Sequence, residues 1–268
     1  MNILEKIIAH KKKEVLERQS LYPTKLLEKS IYFETPTVSF KKYLNRRDLS
    51  GIIAEIKRKS PSNGIINNHI SVEKLSVGYM QAGASALSVL TDAHFFGGKN
   101  EDLTVARKFN YCPILRKDFM VDEYQITEAK SIGADAILLI AAALTKEETK
   151  RLASFARSLD LEVLMEIKEE KELDHANEFV DVIGVNNRNL ETFEVKIETS
   201  FELANKIPAE FPKVSESGIA SAQAIHELKG AGFSGFLIGE TFMKHARPEK
   251  PCADLIRQIK NYTKETVI

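Results

Sequence analysis

The chain has 268 residues, with 38 Lys+Arg balanced by 38 Asp+Glu, 43% hydrophobic residues, two cysteines and no tryptophan. Zero formal net charge disfavours a dedicated nucleic-acid binder, whose footprint is a strongly basic domain, and ample Leu, Ile and Val beside 28% charged residues exclude a disordered chain. Cys112 and Cys252 are too few for a disulfide framework, and the six histidines include no His-x-x-x-His pair, so no metal site is expected.

Residues 1–47 read as a helical extension. Leu4, Ile7, Ile8, Val15 and Leu16 recur at near-helical spacing, interrupted by His10-Lys11-Lys12-Lys13, and Leu26 with Leu27 begins a second short pattern. The lysine triplet is expected to be a solvated helix face. The two helices are expected to cover the bottom or side of a larger body. Glu5 and Lys6 break the first apolar run, so no secretory segment is expected. The longest apolar run, 134–144, is far short of the roughly 20 residues of a membrane span. A soluble, cytoplasmic protein without membrane partners is expected, working as a monomer or weak homo-oligomer.

Residues 48–268 alternate between two patterns. Apolar, β-rich runs at 52–56, 86–90, 113–115, 136–140, 163–167, 182–185, 212–214 and 235–238 read as eight strands. Polar-faced helical patterns follow them at 71–81, 100–108, 122–131, 145–158, 169–176, 197–206, 220–229 and 253–261. Thr145 with Glu148 has the spacing of a capping box, which fixes a helix start. Eight strand–helix units with fully apolar strands predict a (β/α)₈ TIM barrel preceded by the helical extension. The competing doubly wound sheet would carry a Gly-rich loop after its first strand, and residues 57–62 contain no Gly-x-Gly-x-x-Gly. At this length a second fused barrel of about 250 residues is not expected.

Function in such a barrel sits where the strands end at their C-termini. Period-two alternation sends Glu55 and Lys57 to one face if Ile56 faces the helices. Lys117, Glu166, Asn186, Glu216 and Ser217 end or follow other strands. Arg116 and Asp118 alternate with Lys117 and are expected to point outward as structural residues. A single charged pair inside a strand reads as a buried ion pair; polar groups at one end of five strands read as a shared cavity. Turns at Gly218 and at Gly239-Glu240, each leading into a helical segment, would offer backbone N–H groups to a phosphate after strands seven and eight.

Four segments carry a resemblance: Ala54-Glu55-Ile56-Lys57-Arg58-Lys59-Ser60-Pro61-Ser62, Leu115-Arg116-Lys117-Asp118-Phe119, residues 184–192, and Ser215-Glu216-Ser217-Gly218-Ile219. They resemble the signature segments of indole-3-glycerol phosphate synthase, the first being highly specific and the Gly turns common to many barrels. The resemblance runs from the N-terminal helices to the last strand. It implies that a small phosphorylated substrate, 1-(2-carboxyphenylamino)-1-deoxyribulose 5-phosphate, is cyclised, decarboxylated and dehydrated to indole-3-glycerol phosphate in tryptophan biosynthesis, with no cofactor.

The resemblance also implies roles. Lys117 is the general acid of ring closure, a role a lysine fills if neighbouring cations or desolvation lower its pKa. Glu166 and Lys57 serve the later proton transfers, Glu55 tunes Lys57, and Asn186 orients Glu166 or substrate hydroxyls. Arg188, Glu216 and Ser217 complete a polar rim. Lys59 or Lys57 neutralises the substrate carboxylate. Ser60, Gly218, Gly239 and Glu240 map to the phosphate, although Glu240 stands where some relatives have serine and would contribute only its N–H. Phe96, Phe119 and Leu139 are the expected apolar wall, and the loop 59–69 is expected to close over substrate. Two alternatives are another phosphosugar enzyme, such as an Amadori isomerase, and a non-catalytic phosphate-ligand sensor.

Overall fold

The computed structural model describes residues 2–189 and 192–265. Three helices come first: α1 (Ile3–Leu21), α2 (Thr24–Leu27) and α3 (Phe40–Leu44). Eight parallel strands then close into a barrel: β1 (Ile52–Ile56), β2 (Ala86–Leu90), β3 (Ile114–Lys117), β4 (Ala136–Ile140), β5 (Glu162–Ile167), β6 (Val182–Asn186), β7 (Lys213–Glu216) and β8 (Phe233–Ile238). β8 returns to β1 with Phe236 opposite Ile52. Helices α4 (Val72–Ala82), α5 (Asn100–Phe109), α6 (Glu123–Ser131), α7 (Lys146–Ser158), α8 (Glu198–Ala204), α9 (Ala222–Gly230), α10 (Glu240–Met243) and α11 (Glu249–Glu265) connect and surround the strands. The expected TIM barrel with an N-terminal helical segment is thus the observed fold.

The strands are predominantly apolar because both faces are covered. Ile53, Leu115, Leu138, Leu164, Val182 and Val214 fill the interior, while Ile52, Val89, Ile137, Val163 and Ile183 pack outward beneath the helices. Two strands begin later than their apolar runs suggest. Pro113 and Pro212 lack an N–H and serve only as acceptors, for Leu87 and Ile183, so β3 and β7 start one residue on and extend to the charged Lys117 and Glu216. Thr145 and Glu148 form the expected capping box of α7. The segment 169–176 forms a 3₁₀ turn over Glu170–His175 rather than a full helix, with the Glu172 carboxylate accepting from the N–H groups of Lys168 and Glu169.

The N-terminal helices enclose the barrel from both ends. α3 plugs the bottom, where Phe40 and Leu44 join the interior cluster. Its approach is tied to strand starts: Val38 N–H donates to Asp135 at 2.7 Å, and Ser39 Oγ and Lys41 N–H donate to Glu162 at 2.6 Å. α1 corrects two expectations. It runs unbroken through His10–Lys13 and lies over the C-terminal ends of the strands instead of the bottom or side. Lys11 is 1% exposed, because it shares a helix face with Ile7 and Val15 and meets carboxylates at the ends of β2 and β3. Among the described residues no helix is long and apolar enough to cross a membrane.

Candidate active site

Alternation along each strand delivers the polar residues to one place. Ile56 packs outward, so Glu55 and Lys57 enter the barrel mouth, joined at 2.9 Å. On β3 the inward side chain after Leu115 is Lys117. Its Nζ lies 3.0 Å from Glu216 Oε2 and 3.4 Å from Glu166 Oε2. Asn186 donates to Glu166 Oε1 at 3.1 Å and accepts from Ser217 Oγ and the Arg188 N–H, both at 3.0 Å. These groups line a cavity of about 300 Å³.

Two glycines make room for the carboxylates. Gly184 occupies an inward position of β6, and a Cβ there would stand 2.4 Å from Glu216 Oε1. Gly239 follows β8 with the same parity, and its Cβ would meet Glu55 Oε1 at 2.3 Å. Glu216 Oε1 is buried and accepts no hydrogen bond among the described residues. The turn after β7 has two successive residues at positive φ, Ser217 and Gly218. Asn187 stabilises that turn from the outer side by donating to Ser217 O and Ser215 Oγ, both at 3.0 Å.

Burial and a neighbouring opposite charge compete at Lys117, Glu55 and Glu216. Burial would lower the Lys117 pKa, but Glu216, Glu166 and Glu55 overcome it and hold the ammonium well above its usual range. The sequence reading required a lowered value; carboxylates outnumber cations around this side chain, and the shift runs the other way. Burial pushes Glu55 up, yet Lys57 and then Lys117 bring it below the ordinary carboxylate value. For Glu216 burial prevails over Lys117, and Glu166 adds repulsion, so its carboxyl is pushed up to about 7.

The cavity has an apolar end and a turn-rich end. Phe96 and Phe119 stand with ring centroids 5.8 Å apart and face the cavity as expected. Leu139 does not: it packs outward beneath the helices, and its neighbours Leu138 and Ile140 form the wall, one residue out of phase with the expectation. Ile3, Leu4 and Ile7 of α1 close the same end. The apolar spacing of α1 was visible, but nothing local placed that helix over the mouth.

Gly218, Gly239 and Glu240 line the opposite end with Arg188 and Ser217. Arg188 pairs with Glu240 at 3.0 Å and reaches Ser62 Oγ at 3.4 Å, so the Glu240 side chain points into the site rather than away from it. Two residues of the first loop are not brought in. The Lys59 ammonium donates to the His94 carbonyl, and the Ser60 hydroxyl pairs with Ser62 and accepts from Asn63 N–H. Pro61 and Ser62 line the cavity in their place, because Lys59–Ser60 pairs with Gly64–Ile65 in a short hairpin that presents its tip. Leu190 and Glu191, in the segment 184–192, lie outside the described residues.

Arg116 faces outward as expected, whereas Asp118 also borders the cavity and meets Lys11 of α1. Arg116 donates to Gln125 O at 2.8 Å and to Glu128 Oε2 at 2.6 Å, and Asp118 accepts from Thr91 at 2.6 Å.

Comparison with known proteins identifies the family and the fold. The chain is 47% identical over 258 residues to an indole-3-glycerol phosphate synthase of Bacteroides thetaiotaomicron, covering 96% of this chain and 99% of the relative. It is 43% identical over 251 residues to one of Acidithiobacillus ferrooxidans, covering 92% and 95%. The solved structure of a mutant tryptophan synthase alpha-subunit from Pyrococcus furiosus shares the fold, with a TM-score of 0.61 at 13% identity over 79% of this chain and 98% of that one. Residues 4–255 match the family described as indole-3-glycerol phosphate synthase, and the chain belongs to that family.

Proposed function

We propose that the cavity performs the family's reaction on 1-(2-carboxyphenylamino)-1-deoxyribulose 5-phosphate with Lys117 as the acid of ring closure. The observation that carries this assignment is the Lys117 ammonium, fixed between Glu216 and Glu166 in a cavity lined by both an apolar wall and two glycine turns. The aromatic ring fits against Phe96, Phe119, Leu138 and Ile140, and the phosphate lies by Gly218, Gly239 and the Glu240 N–H, near Arg188. A substrate anchored at both ends folds over Lys117, which brings the ring carbon bearing the carboxylate to the ketone.

As the ring carbon attacks, negative charge builds on the ketone oxygen, and Lys117 delivers its proton there. The high Lys117 pKa keeps the donor protonated at every working pH, and the developing alkoxide is basic enough to take the proton. Carbon dioxide then leaves and the electron pair of the broken bond restores a neutral intermediate. In the last step the new hydroxyl departs as water with one proton from an acid, while a base removes one proton from the new ring. Glu166 and Lys57 serve these transfers. Asn186 holds Glu166 in orientation, Glu55 holds Lys57, and Glu216 with Ser217 completes the polar rim. Lys57 lies nearer the cavity than Lys59 and is the better partner for the substrate carboxylate. No cofactor enters this scheme.

Residues 1–47 form an extension to the barrel of 48–268, with α1 contributing to the site. The protein is read as a monomer or weak homo-oligomer acting in the cytoplasm. The test is Lys117→Met, assayed by indole absorbance and carbon dioxide release. Turnover falls by about three orders of magnitude while a non-reactive substrate analogue still binds. Unchanged turnover would remove Lys117 from the mechanism, and no product from the unaltered protein would remove the reaction.

A further inference from the structure

Lys11 is the most deeply buried cation outside the reacting groups, and the mechanism does not use it. Its Nζ lies 2.8 Å from Asp92 Oδ2, 3.0 Å from Asp118 Oδ1 and 3.1 Å from Glu14 Oε1. Asp92 is fully buried and Asp118 is 2% exposed. Both follow barrel strands, Asp92 after β2 and Asp118 directly after Lys117 on β3. Burial would lower the Lys11 pKa, and the charges of Asp118 and Asp92 more than reverse it.

The two aspartates act on the cavity through their remaining contacts. Asp92 Oδ1 accepts from the N–H groups of Phe95 and Phe96 at 2.7 and 3.1 Å, which sets the turn that presents Phe96. Asp118 Oδ1 accepts from the Phe119 N–H at 2.8 Å. The ammonium therefore joins α1 to the turns carrying both aromatic rings of the wall. Ile7 lies one helical turn before Lys11, and Leu4 and Ile3 lie two turns before it, on the same face. Those three side chains reach the cavity.

We propose that Lys11 is a positioning residue for the aromatic subsite: by clasping Asp92 and Asp118 it holds α1 as the third wall around the substrate's aromatic ring. The inference rests on the reading of the cavity given above. A purely structural clasp would affect stability alone, since breaking a buried ion pair leaves charge unpaired. A positioning clasp also separates the two ends of the substrate, weakening the grip on the ring while sparing the phosphate.

The experiment uses the full chain with Lys11→Met and Asp92→Asn, both assayed well below their melting temperatures. Asp92→Asn keeps an acceptor for Phe95 and Phe96 and remains informative if Lys11→Met does not fold. Lys11→Met is expected to raise KM about tenfold, equivalent to about 1.4 kcal/mol, and Asp92→Asn about threefold. The Ki of inorganic phosphate as a competitor stays within twofold, and amide exchange over residues 3–11 accelerates. An unchanged KM in the variants that fold, or a phosphate Ki that rises in step with KM, overturns the proposal. Amide exchange needs no turnover, so unchanged exchange overturns it even if the unaltered protein makes no indole product, an outcome that would count separately against the reaction.

Discussion

Replacing Gly184 by alanine puts one methyl group into the space now taken by a carboxylate. The new Cβ would stand 2.4 Å from Glu216 Oε1 and 3.2 Å from Leu164 Cδ1, whereas ordinary contact begins at 3.4 Å. The carboxylate must therefore recede by about 1 Å (3.4 − 2.4). Its other oxygen, Oε2, now 3.0 Å from Lys117 Nζ, is displaced with it by up to about 1 Å, enough to weaken that hydrogen bond. A misplacement of about 1 Å at a catalytic group lowers turnover about 100-fold, or about 2.7 kcal/mol of barrier. Gly184 has no positive φ, so alanine brings no backbone strain and the folded chain should persist. Gly235→Ala is the control. Its Cβ would stand 2.7 Å from Val214 and 3.1 Å from Leu44, comparable crowding at the barrel bottom, which should lower Tm and spare kcat. Steady-state kinetics beside thermal melts decide the matter: a Gly184→Ala kcat within threefold of the parent value would show that Glu216 does not govern Lys117.

Three more outcomes follow from the same geometry. Gly218→Asp combines positive φ, a Cβ 2.5 Å from Val195 and a new negative charge at the phosphate turn; KM should rise at least tenfold, and an unaltered KM rejects that turn as the phosphate site. Glu240→Ser frees Arg188 from a half-exposed ion pair of the kind worth about 0.2–1 kcal/mol, so KM and the phosphate Ki should both fall by up to about fivefold, while a rise in either would make Glu240 a binding residue. The third concerns pH. The Glu216 carboxyl is raised from 4.5 to about 7 by burial, so the native state keeps a proton that the unfolded chain has lost. Its contribution to stability is complete below pH 4.5 and disappears as pH rises through 7. The Tm of the parent relative to Glu216→Gln should fall across that window, and a constant difference would place the Glu216 pKa near its ordinary value.

The strands were readable because both faces are apolar, and their charged ends stood out against that background. Parity was harder. Glu55 and Lys57 flank Ile56, which fixes the phase of β1, but Ala136–Ile140 is apolar at every position and carries no marker to separate Leu139 from Leu138 and Ile140. Prolines 113 and 212 looked like strand residues although they can only precede the paired segment. Lys11 was unreadable for a different reason. Beside Lys12 and Lys13 it looks solvated, and the carboxylates that bury it belong to strand ends far along the chain. The Glu240 side chain was expected to turn away and instead meets Arg188, a partner that comes from another loop.

The placement of α1 over one end of the barrel and α3 over the other has a consequence for how the chain is made. Residues 1–47 leave the ribosome before the barrel and have no surface of their own to fold against. Val38 waits for a partner 97 residues downstream and Ser39 for one 123 residues downstream, while Phe40 and Leu44 plug an opening that exists only after β8 has paired with β1. Loop-closure entropy must be paid before such distant contacts stabilise anything. A segment made before the barrel therefore docks only after the barrel closes, and a chain stopped before β8 leaves Phe40 and Leu44 at one end and Ile7 at the other without their partners, apolar surface open to chaperones or aggregation.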